Sequence, residues 1–318
     1  MSWFKSSSGQ LLLGVFLSML GAYFLPWNFN SAIDIQELVF WGIVGIFFFY
    51  GLKLDPKSLI KDISNWRLHL FIQSITFLLF PLLILLFYPL FKESNYFPIW
   101  LSFFFLAALP STVSSSVIMT SVAKGNIPSA IFNATLTGLI GVVITPLWVG
   151  LFLSKSNVEI NALEIIWDLT KQILIPLAIG LLLSNSLKKL TNKVRPVLGW
   201  YDKIIIFIII YKSFSAAFLD SVFHDFSWSL LLFLFIILSA LFIIVYWFTR
   251  LGSQILKFPH SDKLTAIFCA TQKSLVHGSV FVIILVPDID KQSMILLAVM
   301  IYHSLQLVFT SYLAVKKS

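Results

Sequence analysis

Hydropathy leaves this chain few folds to choose from. Apolar segments run at about 11–26, 38–54, 68–91, 98–123, 127–153, 162–186, 203–220, 228–250, 264–286 and 292–314. A spanning helix takes roughly 20 residues, so ten spans fit within the 318 residues and leave short connections. Only 11% of residues are charged, whereas a soluble domain needs about a quarter to cover its surface. The expected fold class is an all-α polytopic membrane protein with ten transmembrane helices in one domain, 1–318. So little polar chain remains that a separate catalytic or nucleic-acid-binding domain has no room.

The net charge of +8 is explained by where the basic residues fall. Alternate connections carry them: Lys53, Lys57, Lys61 and Arg67; Lys124; Lys188, Lys189, Lys193, Arg195 and Lys203; Arg250, Lys257 and Lys263. The opposite connections hold Lys92, Lys155 and Lys291. Together with Lys5, Lys316 and Lys317, the bias places both termini in the cytoplasm by the positive-inside rule. In a bacterium the membrane would be the inner, plasma membrane. The expected partner of the basic face is the lipid bilayer, and no nucleic acid is expected. Cys269 is the single cysteine, so neither an intrachain disulfide nor a cysteine metal site is available. Lys5 ahead of Leu11 resembles a secretory signal, but bulky Tyr23-Phe24-Leu25-Pro26-Trp27 offers no cleavage site, and the segment reads as the first membrane helix.

Two segments depart from a lipid-facing helix. The fourth carries Pro110 followed by Ser111, Thr112, Ser114, Ser115, Ser116, Thr120 and Ser121. Proline removes a backbone donor, and small hydroxyls compete for backbone groups. Such a stretch survives in a bilayer only when buried in protein or lining water. A helix-packing face is the plainer explanation, but Ser114, Ser115 and Ser116 point in three directions, which predicts an interrupted helix. The ninth segment carries Thr271-Gln272-Lys273-Ser274 and His277 between apolar flanks. A lysine that deep faces a cavity or a partner unless it snorkels. His277, four residues on, shares its face if the helix continues, as a hydrogen-bonding residue or a proton carrier.

Fourth and ninth of ten means fourth in each set of five. Five is odd, so the halves cross in opposite directions, which predicts two inverted five-helix repeats with broken crossing helices 4 and 9, the build of secondary transporters. Each odd segment precedes one with polar residues of its own, Asn133, Thr135 and Thr137 or His303, Ser304 and Gln306. In span three, Gln73 and Thr76 share a face that could line the crossing, and in span six Asp168 and Lys171 are spaced to pair.

The residues also resemble a family. Gly51-Leu52-Lys53-Leu54, Leu109-Pro110-Ser111-Thr112-Val113-Ser114-Ser115-Ser116, Lys124-Gly125-Asn126-Ile127-Pro128 and Gln272-Lys273-Ser274 look like the bile acid:sodium symporter family, closest to its bile-acid-symporter-like branch of bacteria and eukaryotes. The resemblance implies a panel of approximately 11–54 plus 162–220 and a core of approximately 68–153 plus 228–314. It also implies a sodium site at the crossing, carried by position onto Ser115, Ser116 and Gln272. The family's Glu aligns with Phe268, and its span-five hydroxyls align with Ala130 and Ala134, beside which Asn133 could substitute. Without the carboxylate, a site of neutral oxygens would hold a monovalent cation weakly. The Lys273 ammonium could then fill the cation's place, neutralise an anionic substrate, or exchange protons.

The resulting expectation is a secondary active transporter of an organic anion or amphipathic metabolite by alternating access, with sodium or proton coupling both open. Substrate and ion residues are expected at Thr112, Ser114, Ser115, Ser116, Asn133, Gln272, Lys273, Ser274, His277 and Gln73, with sodium at Ser115, Ser116, Asn133 and Gln272. No other cofactor is expected. The alternatives are a non-transporting regulator or ligand sensor on the same fold, and an intramembrane enzyme pairing a serine with Lys273. The last lacks any Gly-x-Ser-x-Gly or His-Glu-x-x-His spacing, so an enzyme is not expected.

Overall fold

The computed structural model describes residues 7–27, 35–54, 62–153, 167–168, 170–219, 228–286 and 288–317. Lys5, Lys57, Lys61, Lys155 and the start of the sixth apolar segment lie outside them. In chain order the helices are α1 Ser7–Phe24, α2 Ile35–Lys53, α3 Trp66–Ser74, α4 Phe80–Leu85, α5 Tyr88–Phe91, α6 Phe97–Ala108, α7 Ser114–Val122, α8 Ile127–Leu153, α9 Ile175–Leu183, α10 Lys188–Leu219, α11 Trp228–Ile255, α12 His260–Ala270, α13 Leu275–Leu285 and α14 Ile289–Lys317. Among the described residues there is no strand. Six helical stretches are long and apolar enough to cross a membrane, or seven if the bent pair Thr170–Leu183 and Lys188–Val194 counts as one span. Gly9–Phe24 and Phe97–Ala108 are apolar but shorter. The chain is an integral, multi-pass membrane protein.

The interruptions have local causes. Leu109, at the end of α6, is extended (φ −67°, ψ 150°), as the ring of Pro110 requires of the residue before it. The helix resumes at Ser114, so the three serines begin α7 and the break itself is residues 109–113. A second break spans 271–274, between α12 and α13. A π-turn at Ile75–Leu79 precedes Pro81, and a second at Thr170–Leu174 precedes Pro176. In the first, the Phe80 N–H reaches back five residues to the Ile75 carbonyl, and the next residue is a proline with no N–H to offer. Pro81 thereby withholds the N–H that would have reached Thr76 five residues back or Phe77 four residues back. Trp148 Nε1 caps the Phe77 oxygen at 2.8 Å.

The chain divides into two compact units. The first comprises 1–56, 153–225 and 279–293. Within it, α2 lies against α9 through two glycines: a Cβ on Gly51 would fall on the Leu177 carbonyl, and one on Gly180 on the Phe48 carbonyl. Small residues let helix backbones approach where lipid gives no hydrophobic drive between them. Lys53 and Asp202 form an ion pair of 2.8 Å in this unit, and the expected Asp168–Lys171 pair forms at 2.9 Å.

The second unit comprises 57–152, 226–278 and 294–318. An aromatic cluster of Trp100, Phe104 and Phe152 packs its interior, with Trp100 and Phe104 stacked at 5.0 Å. Trp100 Nε1 donates to the Ile84 carbonyl at 3.0 Å, which satisfies its one polar atom. Two helices end in the same capping pattern. Lys124 and Lys257 take left-handed backbones (φ 57° and 56°) while Gly125 and Phe258 donate back to Thr120 and Ser253, as in a Schellman motif.

Candidate functional site

The two breaks meet inside the second unit. The Ser274 N–H donates to the Pro110 carbonyl at 2.9 Å, joining one non-helical stretch to the other. The Thr112 and Ser115 hydroxyls donate to Gln272 Oε1 at 2.6 and 2.5 Å and lie 2.5 Å from each other. Thr112, Ser115 and Gln272 are all buried. Gln272 Nε2 and Ser111 Oγ are buried without a hydrogen-bond partner among the described residues.

Lys273 is fully buried and spends its three N–H bonds on three main-chain oxygens: Ala107 at 2.6 Å, Leu109 at 2.8 Å and Thr76 at 2.9 Å. The first two belong to the end of α6, where a helix carries its partial negative charge and its unsatisfied carbonyls. The third is an oxygen from which Pro81 withholds an N–H. The Phe80 ring lies 4.1 Å from the ammonium and adds a cation–π contact. The charge is therefore held by oxygen dipoles and a ring face, with no carboxylate among the described residues.

Helix α14 holds the second break in place. The Gln306 amide pairs with both main-chain groups of Lys273, accepting from its N–H at 2.7 Å and donating to its carbonyl at 2.8 Å. Tyr302 donates to the Thr271 carbonyl at 2.8 Å. Side chains of α14 thus replace the bonds that helix would have made, as backbone in a bilayer requires. At the start of α13 the Ser274 hydroxyl accepts from the His277 N–H at 3.2 Å and lies 2.9 Å from His277 Nδ1. That is an N-cap closed from both sides. The helix does not continue from Lys273 to His277, so the two do not share a helical face.

The remaining expected residues divide. Ser116 bonds back to the Thr112 carbonyl, in the break just ahead of its helix, at 2.5 Å. Ser114 is exposed. Asn133 and Gln73 share no hydrogen bond with Ser115, Ser116 or Gln272. They belong to a second network, in which Gln73 Nε2 donates to Thr137 Oγ1 at 3.0 Å and to Asn133 Oδ1 at 3.3 Å. Asn133 Nδ2 meets His69 Nδ1 at 2.9 Å and the Ser129 carbonyl at 2.8 Å. Sequence reasoning passed over His69, Pro81, Trp148 and Tyr302. Pro81 in mid-span and the i,i+4 spacing of His69 and Gln73 were the available signals.

Residues 9–317 match the profile of the SBF-like CPA transporter family. Among curated proteins, the chain is 33% identical over 302 residues to Uncharacterized protein PA2026 of Pseudomonas aeruginosa, covering 95% of this chain and 90% of that one. It is 32% identical over 277 residues to Sodium/bile acid cotransporter 7 of Rattus norvegicus, covering 85% and 80%. Sodium/bile acid cotransporter 7 of Danio rerio is 31% identical over 274 residues, with 84% and 80% covered.

Proposed function

The chain belongs to the SBF-like CPA transporter family, and on that premise we propose that it is a secondary active transporter of an organic anion or amphipathic metabolite. In this reading ten helices form two inverted five-helix repeats, both termini are cytoplasmic, and a core of approximately 68–153 plus 228–314 works against a panel of approximately 11–54 plus 162–220 in alternating access. The observation that carries it is the meeting of two helix breaks around one buried cation. Transporters place substrate and coupling ions where discontinuous helices oppose each other near the midplane.

The cation in this chain is covalent. Lys273 fills a ring of three carbonyl oxygens at the end of α6, the kind of half-helix terminus that coordinates sodium in transporters. Ser115, Ser116, Asn133 and Gln272 make a poor sodium site. Gln272 Oε1 already accepts two hydrogen bonds, Ser116 donates back to the Thr112 carbonyl, Asn133 is engaged elsewhere, and Phe268 supplies no charge. The unspent donors at the crossing, Gln272 Nε2 and Ser111 Oγ, suit an anionic group carried by the substrate. A Ser–Lys enzyme is disfavoured, because all three N–H bonds of Lys273 go to main-chain oxygens and none to a serine.

The relatives' names make a bile acid the first substrate to try. Proteoliposomes are loaded with radiolabelled taurocholate, or bathed in it, under an inward sodium gradient or its choline equivalent. The expected result is protein-dependent flux that the sodium gradient does not accelerate. Acceleration by sodium would return the coupling role to that ion, and saturable binding without flux would favour a ligand sensor on the same fold.

A further inference from the structure

We infer that residues 188–200, the first turns of α10, form a docking site for anionic phospholipid, with Lys189 and Lys193 set for the headgroup phosphate and Leu190 and Val197 for the acyl chains. The inference goes beyond the transporter reading and does not depend on it. It rests on how the first unit turns the corner from α9 into α10, and on what the sequence places around that corner.

The stretch Thr170–Leu183 and the segment Lys188–Val194 meet at 111°. Two spans packed side by side reverse direction almost completely, so this segment runs across α9 rather than back along it. Main-chain bonds hold the corner. The Ser184 N–H donates to the Leu181 carbonyl at 3.2 Å, that of Leu187 to Leu183 at 2.9 Å, and that of Thr191 to Leu187 at 2.8 Å. A helical segment that leaves the end of a membrane span sideways lies along the bilayer surface, where one flank meets acyl chains and the next meets headgroups.

Helical periodicity sorts the side chains into three strips. Thr191 and Leu198, seven apart, are buried. Leu190 and Val197, also seven apart, are 55% and 67% exposed and form the strip beside them. Lys189 and Lys193, four apart, are exposed on the strip after that. Trp200 ends this third strip, seven residues beyond Lys193. The Lys203 ammonium lies 4.6 Å from the centroid of its ring and donates to Gln10 Oε1 at 2.7 Å, which fixes the indole in place. Tryptophan favours the level of the headgroups, so the order from buried to apolar to basic is that of a segment seated in the interface.

The charge of the third strip is not answered from within. From Ser184 to Tyr201 the sequence holds no Asp or Glu. The next carboxylate, Asp202, is taken by Lys53 at 2.8 Å. Lys189 and Lys193 make no ion pair among the described residues. Two ammonium groups four apart on a helix repel each other, and a phosphate between them turns that repulsion into attraction. A zwitterionic headgroup brings its own cation beside the phosphate, so phosphatidylglycerol suits the pair better than phosphatidylcholine. A free anion would meet the lysines and leave Leu190 and Val197 in water, whereas a phospholipid satisfies both strips at once.

The test is a lipid titration of the full-length protein in detergent, read by native mass spectrometry, with palmitoyl-oleoyl phosphatidylglycerol against the matching phosphatidylcholine. Wild type should bind phosphatidylglycerol more tightly. Each lysine near an anionic surface contributes about fivefold in affinity, so Lys189→Gln with Lys193→Gln should weaken the tightest phosphatidylglycerol site about 25-fold. Phosphatidylcholine binding should not change. Lys257→Gln with Lys316→Gln removes the same charge from exposed positions of the second unit and should leave the tightest site intact. Equal weakening by the two pairs, or none by the first, overturns the inference. Depth is read by nitroxide labels at Val197→Cys and Lys193→Cys in nanodiscs of phosphatidylglycerol, on a Cys269→Ala background. If that background does not fold, the native one serves, since Cys269 is fully buried. The label at 197 should be relaxed by oxygen and the label at 193 by an aqueous nickel chelate. A label at 197 that the chelate reaches as readily as that at 193 overturns the inference as well. Neither readout involves taurocholate flux, so the lipid site and the transporter reading fail separately.

Discussion

The Lys273 ammonium donates to the Leu109 carbonyl at 2.8 Å, joining the two broken helices through a side chain of one and the main chain of the other. Two more oxygens, of Ala107 and Thr76, complete its shell. A buried charge without a counterion is tolerated only when its hydrogen bonds are all made. Each donor here meets an oxygen that α6 or the π-turn could not satisfy by itself, so the lysine and the two distortions answer one another.

Removing the lysine should therefore destabilise the protein and expose a cation site at once. Lys273→Ala leaves three buried carbonyls unpaired, and charged hydrogen bonds are worth about 1.5–3 kcal/mol each, so a loss of about 3 kcal/mol or more is expected. Sodium at tenfold above its dissociation constant would return about 1.4 kcal/mol by mass action. Thermal unfolding in sodium, potassium and choline chloride measures both. Wild type should not distinguish the salts, and the variant should unfold latest in sodium. Equal unfolding of both proteins in choline would mean that the ammonium does not hold the breaks together.

Gln306 should matter as much as residues of the crossing itself. Its amide satisfies the N–H and the carbonyl of Lys273 together, so Gln306→Leu leaves the buried N–H unpaired and the carbonyl with only the 3.4 Å contact to His303 Nδ1, at about 1–3 kcal/mol for an unpaired group. Gln306→Glu can still accept from the N–H but cannot donate to the carbonyl while ionised, and should fall between the two. Hydrogen exchange at the Lys273 amide reads the effect directly. Protection unchanged in Gln306→Leu would contradict the pairing.

The π-turn yields a double-mutant cycle. Trp148→Phe removes the donor to the Phe77 carbonyl and should cost about 1–3 kcal/mol, since proline at 81 withholds the i+4 N–H that would otherwise serve that oxygen. In a Pro81→Ala background the new N–H can reach Phe77, and the same substitution should cost about 1 kcal/mol less. Additive losses would show that Trp148 contributes only packing.

Long apolar runs and the placement of Pro110 and Lys273 made the helical class and the two interruptions readable, because both depend on local chemistry and on the cost of charge in hydrocarbon. The position of the first break was less legible. The serine run suggested an interruption at 114–116, whereas the extended residue before Pro110 sets it at 109–113 and the serines start a helix. Partners brought from distant segments were not legible at all. Nothing near Gln306 in sequence says that its amide pairs with Lys273, and Asn133 looked like a ligand for the crossing until His69 and Gln73 claimed it. The carbonyls that hold the ammonium are main-chain atoms, which residue types do not announce.

Lys257 offers a substitution that should stabilise. It occupies the left-handed position that ends α11, with φ 56°, its N–H on Gln254 and the next N–H on Ser253. An L-residue with a Cβ pays about 1–2 kcal/mol for that backbone, and glycine pays nothing there but gains freedom in the unfolded chain worth about 0.4–1 kcal/mol. The side chain is exposed and takes no part in an ion pair among the described residues, so little else changes. Lys257→Gly should raise stability by about 0.5–1 kcal/mol on balance, and Lys257→Asn, which tolerates the same conformation, should do so by less. Thermal unfolding of the three proteins in one detergent settles the order. A glycine variant that unfolds before wild type would place the lysine in a role that the capping geometry does not contain.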